Sequence, residues 1–142
     1  MSFWVVRAGR HGEREQDALG NNLVTIGWDE LSDLSKVSGK NELSKLILQV
    51  YPNVSKGRAS NWVGQLWRFL KGIKVGDFVA LPLKSQSAIS IGKITGDYQY
   101  SQANKNFKHI RPVEWIKTIP RSSFDEDILL TCPKLQFLVG QR

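Results

Sequence analysis

The side chains of this 142-residue chain that could do chemistry are few and scattered. His11 and His109 each stand alone, without the HxH or HExxH spacing that puts two imidazoles on one metal ion. Both read as solvated or phosphate-contacting histidines. The single Cys132 has no disulfide partner and no Cys or His at zinc spacing, so it reads as a small, half-buried hydrophobe. Asp125, Glu126 and Asp127 crowd at the start of an expected helix, where carboxylates favour the positive end of the macrodipole. The glycines form neither GxGxxG nor GxxxxGK[ST]. The residues therefore predict no intrinsic catalysis, no metal and no cofactor in this segment.

Binding is better supplied than catalysis. There are five tryptophans, at positions 4, 28, 62, 67 and 115. Trp4, Trp62 and Trp115 fall within strand or helix stripes and read as packing. Trp28 closes an apolar run just before Asp29-Glu30. Its ring reads equally as core or as the wall of a site, where it stacks on a flat ligand and Asp29 accepts a hydrogen bond from an exocyclic amino group. The formal net charge is +7, from 20 basic and 13 acidic residues. Residues 56–121 carry twelve basic and three acidic side chains, a net of +9, while each flank nets −1. Concentrated positive charge of this kind fits one face turned toward a polyanion.

The elements that must position these residues follow from periodicity and punctuation. Apolar, β-branched runs at Phe3 to Ala8 and Leu23 to Trp28 predict two buried strands, with a short helix from Glu13 to Leu19 between them. Asn41 is the expected cap of a helix from Glu42 to Val50, and Ser55 that of a longer helix to about Lys71. On the second, Ala59, Trp62, Val63, Leu66, Phe69 and Leu70 form one apolar stripe, with Arg58, Asn61, Gln65 and Arg68 on the opposite edge. Lys74-Val75-Gly76-Asp77 predicts a tight turn with Gly76 at positive φ. Phe78 to Leu83 and Ile89 to Thr95 predict a hairpin, followed by a polar stretch, a strand at about His109 to Lys117, a short helix from Phe124 and a closing strand in LQFLV. The sum is one α+β domain: a small, bent or closed mixed β-barrel of five to six strands with flanking helices. No run approaches the length of a membrane span, so cytoplasmic is the default location.

These elements carry words that resemble a known superfamily. FWVVRAGRHGEREQDAL (3–19), TIGWDEL (25–31), NWVGQLWRF (61–69), VGDFVALPLK (75–84), IGKITGDYQY (91–100) and HIRPVEWIKT (109–118) stand in an order similar to the PUA-like superfamily. Within it the likeness is to the EVE and YTH branch, and more narrowly to the N-terminal domain of Mrr-like restriction endonucleases. It covers nearly the whole chain. The resemblance implies a bent barrel that flips a base into an aromatic pocket. Trp28 takes the place of the family's cage tryptophan, and Asp29 faces the base edge. Arg58, Asn61 and Gln65 supply polar contacts with Trp62 beside them, and Tyr98, Tyr100 or Phe107 offer a second wall. Arg7, Arg10, Lys84, Lys93, Lys105, Lys108 and Arg111 would hold phosphates.

The implied partner is double-stranded DNA carrying a methylated or hydroxymethylated base. The chain then serves as the specificity module of a type IV, modification-dependent enzyme whose magnesium-dependent nuclease lies on another domain. An RNA-binding PUA-like domain is the alternative. A domain acting on free nucleosides and a protein-interaction domain are more distant ones. Burying one added carbon gains only about 1 kcal/mol, so discrimination of tens-fold at most is expected.

Overall fold

The computed structural model describes residues 3–6, 15–101 and 108–122, together with the backbone of 135–138. Arg7, Arg10, His11, Lys105, Phe107, Asp125, Glu126, Asp127 and Cys132 lie outside the described residues, as does the expected helix from Phe124.

The first strand, β1 (Phe3–Val6), is buried at every position. Its lack of alternation has a cause in its pairing, because β1 runs parallel to β3 (Phe78–Pro82) on one side and to β7 (Leu135–Leu138) on the other. A strand inside a sheet with both faces covered needs apolar side chains on both. β3 forms the expected hairpin with β4 (Ala88–Ile94), which in turn pairs antiparallel with the long β6 (His109–Pro120). The first residues of β6 pair with β2 (Leu23–Ile26) and with the two-residue β5 (Gln99–Tyr100). His109 is thus set between Ile26 of β2 and Tyr100 of β5.

The sheet order is β2-β6-β4-β3-β1-β7, with β5 beside β6. This is a mixed α+β fold on one curled, open sheet. Of the bent or closed barrel expected, the bent and open form is found, with one short strand more than the six expected. Among the described residues the ends β2 and β7 do not meet, and the strands number seven. The miscount traces to β5, whose two polar-flanked residues are too few for an alternating pattern to register.

Two devices bend the sheet and hold its hairpin. β4 has a register shift between Ile91 and Gly92, where a Cβ would lie 2.8 Å from both Trp115 Cε3 and Val113 Cγ2. Glycine lets the Trp115 ring cross the strand there. The helix α1 (Glu15–Gly20) buries the Glu15 carboxylate, which accepts from the Lys84 amide at 2.6 Å and from Ser85 Oγ at 2.8 Å. That latches the hairpin loop to the molecule.

The remaining helices cover the main core. α2 (Lys40–Val50) follows Gly39, and the expected cap Asn41 lies inside the helix. Glu42 instead reaches back, its carboxylate accepting from Ser38 N at 3.1 Å and Ser38 Oγ at 2.9 Å. α3 (Lys56–Trp67) is capped as expected, with Ser55 Oγ accepting from the Arg58 amide. Its apolar stripe joins Trp4, Val24, Ile26, Leu43 and Ile47 in the core. The helix then widens into a π turn, Arg68–Gly72, closed by the Ile73 amide on the Arg68 carbonyl at 2.8 Å.

Candidate functional site

Where β2 ends, the backbone turns sharply. Trp28 adopts φ +60°, a left-handed conformation that is strained for a bulky residue. Its carbonyl accepts from the Leu31 amide at 3.0 Å and from His109 Nε2 at 2.9 Å. Because a carbonyl only accepts, Nε2 carries the proton and Nδ1 is left bare. The Tyr98 hydroxyl donates to that Nδ1 at 2.6 Å and accepts from the Leu34 amide at 3.2 Å. The Tyr98 ring stacks on His109 at 5.8 Å and 24°, and Tyr100 tilts against it at 5.6 Å. Burial holds the imidazole below its ordinary pKa, with the Trp28 carbonyl opposing, which favours the neutral ring. Burial likewise pushes the Tyr98 phenol up. One fully buried imidazole therefore clamps Trp28, the loop through Leu34, and both loop tyrosines.

The predicted aromatic residues are gathered, though not as an open cage. Trp28 is only 1% exposed and belongs to the core, with Trp62 edge-on to it at 5.9 Å and Tyr51 edge-on to Trp62 at 5.3 Å. Of the two roles read for Trp28 from sequence, the ring takes packing. The buried Trp28 Nε1 has no hydrogen-bond partner among the described residues. On α3, the buried Gln65 donates to the exposed Asn61 at 3.3 Å, one turn apart, and Arg58 is exposed. Asp29 is half-buried beside the Trp28 turn.

Arg111 is a correction. Expected on phosphates, it is 1% exposed, and its guanidinium donates to three carbonyls: Gly96 at 2.9 Å, Phe69 at 3.0 Å and Ile73 at 2.8 Å. Two of these belong to the π turn and its exit, whose widened geometry leaves carbonyls for a side chain to satisfy. Burial pushes the guanidinium's pKa down, while Asp97 and Asp77 oppose this. Sequence cannot separate such an arginine from a surface one, because its neighbours in β6 alternate as any half-exposed strand does. Lys84 and Lys93 are exposed, as a phosphate role requires, and Lys108 is half-buried.

Beside Tyr98 the surface opens into a cleft of about 390 Å³. Leu34, Leu70, Ile73 and Val75 give it an apolar side, and Ser35, Lys71, Lys74, Asp97 and Tyr98 a polar one. Its lip is the predicted turn, with Gly76 at φ +97°. Asp77 Oδ2 accepts from the Lys74 amide at 2.9 Å and from Trp4 Nε1 at 3.0 Å, which ties the lip to the core. Sequence reading reached Tyr98 and the turn. It missed Ser35, Lys71, Lys74 and Asp97, and the available signal was two lysines just before a Gly-Asp turn, with an aspartate directly before the tyrosine.

Fold and cleft together define a small mixed α+β domain with an aromatic, cation-rimmed recess beside the opening of β6. The chain belongs to the family described as Domain of unknown function (DUF8426), whose model matches residues 4–130. No curated protein matches it.

Proposed function

We propose that this domain binds DNA and reads a methylated or hydroxymethylated base, taken out of the duplex into the Tyr98 cleft. The observation that carries the reading is the composition of that one recess: an aromatic ring fixed by His109, a carboxylate, an apolar side and two lysines. Each part has a task. Tyr98 offers a stacking surface whose orientation is set before the base arrives, since its hydroxyl is already used on both sides. Asp97 accepts from an exocyclic amino group. Leu34, Leu70 and Ile73 receive a methyl group, which is worth about 0.8 kcal/mol, or about fourfold. Lys71 and Lys74 contact phosphates and give affinity without sequence information.

The PUA-like words of the sequence, with their EVE and YTH likeness, support the same reading. They extend it to the specificity module of an Mrr-like restriction system. The recess differs from the one expected at Trp28. It lies across His109 from that residue, and the clamp makes Trp28 its support.

Fluorescence polarisation with a labelled duplex, unmodified or carrying N6-methyladenine, 5-methylcytosine or 5-hydroxymethylcytosine, tests the reading, with single-stranded RNA alongside. DNA binding whose log-log salt slope falls by about 1.8 in a Lys71→Gln/Lys74→Gln double variant is expected, about 0.9 for each phosphate no longer neutralised. RNA bound more tightly than every duplex replaces the reading with an RNA-binding one.

A further inference from the structure

A duplex that gives up a base is left with a gap in its stack, and side chains that enter such gaps are apolar and presented at a protruding position. We propose that Val75 is the wedge that fills the gap while the base occupies the Tyr98 cleft; the assignment rests on the base-receiving reading of that cleft. Val75 is 56% exposed, more than Leu48, Val50 or Ile116, the other large apolar side chains exposed among the described residues. It stands on the wall of the same cleft as Tyr98 and Asp97, so a group inserted there is adjacent to the recess that takes the base.

Its presentation is rigid. The Gly76 amide donates to Ile94 O at 2.9 Å, Ile94 N to Asp77 O at 2.8 Å, and Asp77 N to Lys74 O at 3.0 Å. Asp77, buried under the turn, holds the Lys74 amide and the Trp4 indole with one oxygen. Every residue around Val75 is thus tied to strand or core, while its own side chain is left in water. A β-branched side chain has few rotamers to lose on insertion. Lys74 beside it, and Lys71 on the same cleft, can meet the phosphates on either side of the step it enters.

The test uses a DNA duplex with 2-aminopurine at one position, whose fluorescence rises when that base leaves the stack, and the same duplex with an abasic site opposite it. Wild type, Val75→Ala and Tyr98→Ala are titrated with both, and the melting temperature of each variant confirms folding. The proposal expects Val75→Ala to bind the fully paired duplex about tenfold more weakly with little fluorescence rise, and the abasic-opposed duplex as wild type does. Val75→Ala equal to wild type on both duplexes, or weakened equally on both, overturns the wedge and leaves the cleft standing. Absence of a fluorescence rise with wild type, or a rise that Tyr98→Ala reproduces in full, overturns the cleft reading and the wedge with it.

Discussion

His109 shows how one residue can organise a site that it does not itself line. It is fully buried, and both ring nitrogens are committed, one to a carbonyl and one to a hydroxyl. Sequence placed it correctly at the start of a strand but read it as solvated or phosphate-contacting, because a lone histidine carries no sign of its burial. The consequence is measurable. With its pKa below the ordinary 6.5, the folded state resists a proton that the unfolded state takes up. Stability is unaffected by this group above pH 6.5 and falls as the pH drops below it. Thermal melts from pH 7.5 to 5 are expected to show that loss in wild type. A His109→Gln variant, less stable at pH 7.5 by about 1–3 kcal/mol for groups left unpaired, is expected to show a shallower pH slope. Parallel slopes would mean that His109 takes up its proton alike in the folded and unfolded states. Trp28 makes a similar point: residue type and the neighbouring Asp29 left core and site equally open, and its 1% exposure puts the ring in the core.

Elements were more legible than tertiary pairings. The hairpin β3–β4, the amphipathic α3 with its Ser55 cap and the Gly76 turn each rest on local signals, and each stands where those signals put it. What escaped depends on distant partners. The α2 start shifted to Lys40 because Glu42 bonds back to Ser38, and β5 exists only because β6 offers it a pairing edge. The π turn after α3 could not be read either, since its carbonyls are satisfied by Arg111 from a strand about forty residues away. Gly92 gives a test at this scale. An added methyl would press on Trp115 and Val113 within the sheet, where neither neighbour is a free surface end. Gly92→Ala is expected to cost about 1–3 kcal/mol as overpacking, seen as a lower denaturant midpoint. An unchanged midpoint would mean that the bulge absorbs the methyl.

For the whole molecule, the sequence's uneven charge remains the broadest functional signal, and the fold refines where it acts. Lys71, Lys74, Lys84 and Lys93 are exposed, whereas Arg111 is spent internally. The central claim is that a base is read in the cleft at Tyr98, on a scaffold in which Trp28 and His109 are support. The most direct measurement is the ratio of dissociation constants for modified and unmodified duplex, compared between wild type and a Tyr98→Ala variant at one salt concentration. A ratio of several-fold to tens-fold in wild type that collapses toward one in Tyr98→Ala, with affinity for unmodified DNA largely kept through the lysines, is the expected result. A ratio that survives Tyr98→Ala intact would contradict the account and put the reading of the base elsewhere on the molecule.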